Sequence, residues 1–212
     1  ELGDAAERAQ VFFVCSAKKD VLRALWPRAR DLKWMHSLFA GVEHLLFDEL
    51  VQSPLPLTNA KGVYSDSLAE FALMGMLFFA KDTRRLLRQQ AEARWEVFEP
   101  VELRGQTLGI LGYGDIGRAT AQRARAFGLR ILACRRQPER SAGDTLVDEV
   151  LPFERRHELF AASDYVVLAL PNTPGTQRMV GEAELRALKP SAVLVNVGRG
   201  GTVDEPALVR AL

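Results

Sequence analysis

Thr107-Leu-Gly-Ile-Leu-Gly-Tyr-Gly-Asp-Ile-Gly117 is the segment of this chain that carries the clearest structural signal. A short apolar run, typical of a buried strand, leads directly into a Gly-x-Gly-x-x-Gly turn, and a helical pattern follows. In such a turn Gly112 permits the sharp bend, Gly114 lets the backbone approach a pyrophosphate, and Gly117 lets the helix pack against the strand. The segment predicts nucleotide binding at a helix N-terminus, with an ordinary strand-to-helix turn as the alternative.

The alternation of strand and helix continues through the second half of the chain. Apolar strands are predicted at 107–111, 130–134, 165–170 and 192–197, and helices at 116–127, 181–188 and 204–211. Such alternation is typical of a parallel sheet that is covered on both faces. We therefore predict an α/β fold in which 99–212 form a Rossmann domain with a doubly wound parallel sheet; the resemblance described below implies that this sheet is incomplete at its C-terminal side.

The first part of the chain, 1–98, has shorter strand-like segments. Strands are predicted at 11–15, 32–37 and 55–58, and a helix at 18–26. A long helix is predicted over 67–92, beginning with Ser67 and Glu70 as a capping box. Its first half is apolar almost all round, which predicts that it links two packed units and is buried between them.

Composition narrows the possible functions. The chain has 212 residues, of which 48% are hydrophobic and 26% charged, as in ordinary globular proteins. A formal net charge of +1 gives no general attraction to nucleic acid or to membranes, and the longest apolar run, 71–80, is too short to span a bilayer. Cys15 and Cys134 have neither disulfide nor metal-site spacing, which predicts no metal and favours the reducing cytoplasm. Because the first residue is Glu rather than Met, organelle targeting stays open.

Ligands of a doubly wound sheet bind beyond the carboxyl ends of its strands, so the residues there are the candidate site. After the second strand of this sheet an acidic residue holds the ribose 2′-hydroxyl of NAD, whereas arginine accommodates the 2′-phosphate of NADP. Arg135 and Arg136 stand at that position, and 131–137 contain no acid. A guanidinium suits phosphate by its charge and forked donors, so we predict NADP(H) rather than NAD(H), with a solvated strand end as the alternative.

Two further segments follow predicted strands at the same edge. The loop 170–176 is rich in Pro and Thr and is placed to line the nicotinamide ribose. In Val197-Gly-Arg-Gly-Gly201 the small neighbours leave Arg199 able to reach a substrate, where its fork binds a carboxylate and polarises a carbonyl. The alternative is that Arg199 pairs with Asp204 or with backbone carbonyls. His36, His44 and His157 do not follow strands at this edge, so we predict structural or surface roles for them.

The sequence resembles the D-isomer-specific 2-hydroxyacid dehydrogenases, a family that includes hydroxypyruvate, glyoxylate and phosphoglycerate enzymes. The resemblance extends from Val11 to Leu212. The segments that carry it are Ser37-Leu-Phe-Ala-Gly-Val-Glu43, Leu68-Ala-Glu-Phe71, Leu103-Arg-Gly-Gln-Thr-Leu-Gly-Ile-Leu-Gly-Tyr-Gly-Asp-Ile-Gly117 and Val195-Asn-Val-Gly-Arg-Gly-Gly-Thr-Val-Asp-Glu205.

The resemblance implies a cofactor domain joined to a partial flavodoxin-like substrate domain, and a homodimer built on the cofactor domain. It implies that Arg199 is the catalytic arginine, which holds the substrate carboxylate and 2-oxo group. It also implies that Ala40 and Gly41 supply backbone donors to that carboxylate. The further residues that it places against the cofactor are Asp115, Ile116, Leu170, Pro171, Thr176 and Val197.

In the family a glutamate and then a histidine follow the Arg199 motif, and this histidine is the general acid that protonates the carbonyl. The sequence ends at Leu212, before either residue, and from the resemblance we also expect that the first strand and helix of the substrate domain are missing ahead of Glu1. We therefore expect a fragment that lacks the general acid and has at most trace turnover. Exposed sheet surface in such a fragment predicts poor solubility.

Taken together, these features predict an oxidoreductase that transfers a hydride between NADPH and a small 2-oxo acid such as hydroxypyruvate or glyoxylate. Two alternatives stay open. One is a dinucleotide-binding scaffold without activity, similar to the corepressors that share this architecture. The other is an NAD-linked enzyme similar to phosphoglycerate dehydrogenase.

Overall fold

The structure is a computed structural model in which residues 2–16 and 18–212 are described. Contacts between residues divide the chain into two units, 1–64 and 65–212. The domain ranges 1–98 and 99–212 stay a prediction, since the contacts group 65–98 with the second unit. Within the described ranges no helix is long and apolar enough to cross a membrane.

The first unit contains a small parallel sheet. Its strands are β1 (Val11–Val14), β2 (Trp34–Ser37) and β3 (Leu57–Asn59), in the order β1-β2-β3. Its helices are α1 (Leu2–Arg8), α2 (Lys19–Leu25) and α3 (Asp48–Val51). Val14, Met35 and Phe47 belong to the core that the sheet shares with its helices. All three strands were predicted, each within a few residues of its bounds, whereas the short helices α1 and α3 were not.

The second unit is built on a sheet of five parallel strands. They are β4 (Thr107–Leu111), β5 (Arg130–Cys134), β6 (Glu149–Leu151), β7 (Tyr165–Leu168) and β8 (Val193–Asn196), in the order β6-β5-β4-β7-β8. The chain turns to one side of β4 for β5 and β6 and to the other for β7 and β8, which is the Rossmann arrangement. This confirms the α/β fold and four of the five strands. The prediction missed β6, which has three residues at the sheet edge.

Helices cover both faces of this sheet. They are α4 (Ser65–Ala80), α5 (Thr83–Ala91), α6 (Asp115–Arg125), α7 (Arg156–Ala162), α8 (Glu182–Ala187) and α9 (Glu205–Ala211). Met76 of α4 and Ala121 of α6 pack with Ile110 of β4 on one face. On the other face Phe160 of α7, Leu185 of α8 and their neighbours form a second core. Two apolar layers with a buried sheet between them confirm the doubly wound prediction.

The single helix predicted over 67–92 is two helices in the structure. α4 already begins at Ser65, so Ser67 lies inside it and is not its N-cap. The chain then breaks at Asp82, whose φ is +44°, and the Asp82 carboxylate caps α5 by accepting a hydrogen bond from Arg85 N at 3.4 Å. No glycine or proline marks this break in the sequence, which is why the pattern alone did not reveal it.

Candidate dinucleotide site

The glycine turn joins β4 to α6, and its geometry depends on glycine at two places. Gly112 has a φ of +102°, and a Cβ there would lie 2.7 Å from the carbonyl oxygen of Ala169. A Cβ on Gly117 would lie 2.5 Å from the carbonyl oxygen of Gly112, so only glycine lets the helix approach the turn this closely. A Cβ on Gly114 would meet nothing within 4 Å, so open space lies in front of that residue. An extended phosphate fits such a cradle.

The N-terminus of α6 faces this open space without a capping side chain. Gly114 is the N-cap, and Asp115 and Ile116 are the first helical residues. Since glycine has no side chain to cap the helix, the first-turn N–H groups are left for an anion, and the helix dipole favours negative charge there. The residues of the turn therefore fit the pyrophosphate of a dinucleotide.

Arg135 and Arg136 leave the sheet beside this turn. Leu111 and Cys134, the last residues of β4 and β5, pair in register, and Gly112 N donates to the carbonyl oxygen of Cys134 at 2.9 Å. Arg135 is half-buried and its Nη1 donates to Ser141 Oγ at 2.6 Å, whereas Arg136 is exposed. The structure thus brings both predicted arginines to the edge that carries the glycine turn.

A buried phenol ties the glycine turn to the loop that follows β5. Tyr113 is buried, and its hydroxyl donates to Asp144 Oδ2 at 3.0 Å. Arg118 Nε donates to the same oxygen at 3.2 Å, and Leu146 N donates to Oδ1 at 3.1 Å. The sequence analysis missed this network, because its partners are far apart in the chain and no periodicity relates them.

The same network shifts the pKa values of its two acids in opposite directions. Burial, and then the hydrogen bond to Asp144, raise the pKa of Tyr113, so its phenol stays protonated. Burial opposes ionisation of Asp144, but the hydrogen bonds from Leu146 N, Tyr113 and Arg118 together lower the pKa of its carboxyl. Asp144 is therefore a carboxylate at neutral pH, with its charge facing Arg118.

The loop after β7 is closed by one hydroxyl group. Thr176 Oγ1 donates to the carbonyl oxygen of Pro171 at 2.6 Å and accepts from Thr173 N at 2.9 Å. Leu170 and Thr176 are buried, and Pro171 is exposed. The residues of this loop that are predicted to contact the cofactor thus lie in a compact turn. The turn begins just after β7, the strand that pairs with β4.

The turn that holds Arg199 is fixed on both sides by side chains that the sequence analysis did not single out. Asn196 Oδ1 accepts from Gly198 N at 2.9 Å, and Asn196 Nδ2 donates to the carbonyl oxygen of Arg199 at 3.1 Å. Thr202 Oγ1 donates to the same carbonyl at 2.7 Å. A Cβ on Gly198 would lie 2.6 Å from the Leu170 carbonyl oxygen, so this turn packs tightly against the loop after β7. Val197, the residue after β8, also bonds to the end of β7, since its N–H donates to Leu168 O at 3.0 Å.

Ala40 and Gly41 belong to the first unit, in the loop after β2. Asn59 Nδ2 donates to the carbonyl oxygen of Ala40 at 2.6 Å, and Tyr64 Oη donates to that of Leu38 at 3.3 Å. Ala40 is exposed and Gly41 half-buried. The loop is therefore anchored within its own unit, with its backbone at the surface.

The three histidines make structural contacts. His36 stacks on Phe13, His44 meets Phe39 edge-on, and His157 Nε2 lies 3.2 Å from Glu184 Oε1. These contacts agree with the roles predicted for them. Across residues 2–16 and 18–212, no group of His, Cys, Asp and Glu side chains converges in a way that would hold a metal ion.

The fold and the glycine turn together are those of a dinucleotide-binding α/β unit of the Rossmann type. Residues 73–212 match the family described as D-isomer specific 2-hydroxyacid dehydrogenase, NAD binding domain. The chain belongs to the D-isomer specific 2-hydroxyacid dehydrogenase family.

Its relatives include enzymes and solved structures of this family. A glyoxylate reductase from Thermococcus gammatolerans is 36% identical over 200 residues, which cover 89% of this chain and 58% of that protein. A D-isomer specific 2-hydroxyacid dehydrogenase from Xanthobacter autotrophicus Py2, solved in complex with NADPH and MES, has a TM-score of 0.79 and 29% identity, covering 98% of this chain and 64% of that one. D-lactate dehydrogenase from Aquifex aeolicus, complexed with NAD and lactic acid, has a TM-score of 0.79 and 25% identity. The match covers 99% of this chain and 62% of that one. The chain thus spans less than two-thirds of each of these proteins.

The ionised state of Asp144 gives a testable pH dependence of stability. Because its pKa is lowered in the folded state from an ordinary 3.8, its charge stabilises the fold above that pH, and this contribution is lost as the pH falls through the folded value. Asp144→Asn should lower the free energy of unfolding at neutral pH by on the order of 1 kcal/mol, and the deficit should shrink in acid. Urea unfolding at neutral pH and below 3.8 measures this.

Asp66→Asn is the matched control, because Asp66 is an exposed carboxylate whose salt bridge to Arg123 lies at the surface. Its effect on stability should be small at either pH. A deficit of Asp144→Asn that is the same at neutral and acidic pH would contradict the assignment.

Proposed function

We propose that this chain is the nucleotide-binding part of an NADPH-dependent reductase of small 2-oxo acids, such as glyoxylate or hydroxypyruvate. The observation that supports it is the arrangement of three turns at one edge of the sheet. The glycine turn follows β4, Arg135 follows β5, and the turn with Arg199 follows β8. A phosphate cradle, a cation for a second phosphate and an arginine for a carboxylate are what such a reaction needs at the carboxyl ends of the strands.

The choice of NADP(H) is supported by the residues that follow β5. Arg135 and Arg136 supply positive charge where an acid would bind the ribose hydroxyls of NAD. The relatives bind either cofactor, since one solved structure contains NADPH and another NAD. The preference therefore depends on local chemistry, for which a guanidinium matches a phosphate monoester better than a diol.

A titration with both reduced cofactors tests this choice. The chain should bind NADPH more tightly than NADH, and Arg135→Asp should weaken NADPH binding by about tenfold or more while leaving NADH binding equal or stronger. Cofactor fluorescence measures both dissociation constants. Arg130→Asp is the control, because Arg130 is an exposed residue at the opposite end of β5 and should not alter the ratio. A wild-type preference for NADH would overturn the assignment and favour the NAD-linked alternative.

In the second unit, Arg199 is proposed to bind the substrate carboxylate. In the first unit, Ala40 and Gly41 are proposed, separately, as backbone donors to a carboxylate. When bound, the reduced nicotinamide supplies the hydride. Arg199 would hold the carboxylate by its two parallel N–H donors and polarise the neighbouring 2-oxo group. Asn196 and Thr202 hold the backbone carbonyl of Arg199 in place. Because the backbone is already fixed, only the Arg199 side chain has to be ordered when substrate binds.

The proton donor is proposed not to be a histidine of the second unit. His157 is the single histidine of 65–212, and it lies beside Glu184, which also accepts a hydrogen bond from Arg156 Nε at 2.9 Å. Glu184 is a buried residue in the first turn of α8 and also accepts from Gly181 N at 2.9 Å. This arrangement stabilises the packing of α7 and α8 and leaves the general acid to be supplied from elsewhere.

Binding of a substrate analogue separates an enzyme from a scaffold. Oxamate carries a carboxylate next to a carbonyl and is not reduced, so it should bind to the complex of the chain with NADPH. Arg199→Gln should weaken oxamate binding by about tenfold or more, because a charged bidentate pair is lost, and should leave NADPH binding unchanged. Calorimetry measures both affinities.

Arg186→Gln is the control for loss of charge, because Arg186 is an exposed residue of α8 that pairs with Glu182. Its oxamate affinity should equal that of the wild type. Tight NADPH binding together with no detectable binding of oxamate would instead indicate the non-enzymatic scaffold.

A homodimer is proposed on an apolar surface formed by α4 and the segment after α5. Phe71 and Met74 of α4 are each 55% exposed, although they lie one turn apart on the same face of the helix. Trp95 and Val97 follow α5 and are 92% and 85% exposed. Large apolar side chains at such exposure are typical of protein–protein interfaces.

The dimer is tested by analytical ultracentrifugation. The wild-type chain should sediment as a dimer, and Phe71→Glu should make it monomeric, because a charge cannot be buried unpaired in the interface. Val209→Glu changes an exposed residue of α9 and should leave the dimer intact. A wild-type chain that is monomeric at micromolar concentration would contradict the proposal.

A cytoplasmic location is proposed on the state of the two cysteines. Both are free thiols, Cys15 exposed and Cys134 buried. Burial raises the pKa of the Cys134 thiol to about 12, so that thiol is unreactive. A free exposed thiol at Cys15 is typical of a reducing compartment.

A further inference from the structure

We propose that Ser141 is a positioning residue for the 2′-phosphate of NADP(H): its hydroxyl holds the Arg135 guanidinium in place, and the Tyr113–Asp144 hydrogen bond holds Ser141. This inference rests on the proposed function, since it concerns how the same cofactor site distinguishes NADPH from NADH. It adds three residues, Ser141, Tyr113 and Asp144, that act through Arg135.

The contact between Arg135 and Ser141 is short and buried. Arg135 Nη1 donates to Ser141 Oγ at 2.6 Å, and Ser141 is only 7% exposed, at the end of the 3₁₀ turn Pro138–Ser141. A guanidinium has five N–H donors in a planar fork, so a bond through one of them fixes the plane and leaves others to meet a phosphate. The hydroxyl thus works as an anchor and does not neutralise the arginine.

An anchored arginine binds phosphate more tightly than a mobile one. A free arginine side chain carries about 2 kcal/mol of rotamer entropy, much of which is lost when a ligand immobilises it. A side chain that is already held by Ser141 has lost part of this freedom before NADPH arrives. NADH has no 2′-phosphate, so anchoring Arg135 should not strengthen its binding, and the ratio of the two affinities reports on the anchor.

Ser141 is itself held by the network at the glycine turn. Asp144 N donates to the carbonyl oxygen of Ser141 at 3.1 Å, and the Asp144 carboxylate accepts from Tyr113 Oη at 3.0 Å. Tyr113 lies between Gly112 and Gly114 of the cradle. The pyrophosphate cradle and the anchor for the 2′-phosphate arginine are therefore parts of one hydrogen-bonded unit.

Titration of the Ser141 variants with NADPH and NADH tests the proposal. Ser141→Ala should weaken NADPH binding by about threefold to tenfold and leave NADH binding unchanged, because only the 2′-phosphate uses the anchored arginine. Ser141→Thr keeps the hydroxyl and should restore most of the NADPH affinity. Tyr113→Phe should shift the ratio in the same direction by a smaller factor.

A double substitution shows whether Ser141 acts through Arg135. In an Arg135→Ala background, Ser141→Ala should cause no further loss of NADPH affinity. Ser163→Ala is the matched control, because Ser163 is a buried serine that donates to Leu159 O at the other end of the sheet. It should lower the unfolding midpoint without changing the ratio of NADPH to NADH affinity.

The outcomes separate this inference from the proposed function. If the wild type prefers NADH, the cofactor assignment itself is wrong. If Arg135→Ala leaves a preference for NADPH unchanged, the role of Arg135 in that preference, and with it the positioning role of Ser141, is overturned. If Arg135→Ala removes the preference but Ser141→Ala does not alter it, only the positioning role is overturned. Equal weakening of NADPH and NADH binding by Ser141→Ala would show a general structural role and would also overturn it.

Discussion

The approach of α6 to β4 is the constraint on which the candidate site depends. A Cβ at Gly117 would lie 2.5 Å from the carbonyl oxygen of Gly112, so the helix can start this close to the strand only with glycine there. This contact sets the direction of α6 and therefore where its first N–H groups point. It also fixes Tyr113, whose hydroxyl then determines where Asp144 and the loop after β5 can lie. The phosphate cradle and the cofactor-selective loop follow from one steric condition.

The two ends of the sheet are stabilised in different ways. At the amino ends of β4 and β5, two carboxylates accept hydrogen bonds from strand amides: half-buried Asp164 from Thr107 N at 2.8 Å, and the more exposed Asp148 from Ile131 N at 2.7 Å. Each carboxylate also meets a cation, Lys189 or Arg125. At the carboxyl ends of these strands, glycine turns and short loops lead away from the sheet, and the ion pair between Arg118 and Asp144 lies within the loop after β5. The open space in front of Gly114 is at this end.

The sequence predicted those features that depend on apolar periodicity or on a local motif. The strands β4, β5, β7 and β8 were found because each is a continuous apolar run, and the glycine turn because its spacing is fixed by the geometry of the turn. β6 was missed, since its three residues, Glu149–Leu151, pair only along one edge and carry no pattern. The break at Asp82 was missed because it lies in a polar run without glycine or proline, where the break is marked by the capping hydrogen bond that Asp82 accepts from Arg85 N.

The candidate site shows the same division. Arg135 and Arg199 were found because their positions after strands are readable from the sequence. Ser141, Asn196 and Thr202 were not, because a hydroxyl or amide that fixes a turn has no distinctive spacing and can equally well face solvent. What the structure adds is therefore the set of residues that hold the functional side chains.

The charge of Asp144 shows why such supporting residues cannot be chosen independently of the ligand. A carboxylate near a phosphate site repels the ligand unless a cation offsets it. Here Arg118 Nε lies 3.2 Å from Asp144 Oδ2, and Tyr113 donates to the same oxygen, so the negative charge is already compensated inside the loop. Arg135 bonds to the neutral hydroxyl of Ser141 and not to this carboxylate, so no negative partner in this contact offsets its charge, which the proposed function assigns to a 2′-phosphate. A serine at 141 thus orients the arginine without competing for its charge, which an aspartate at the same place would do.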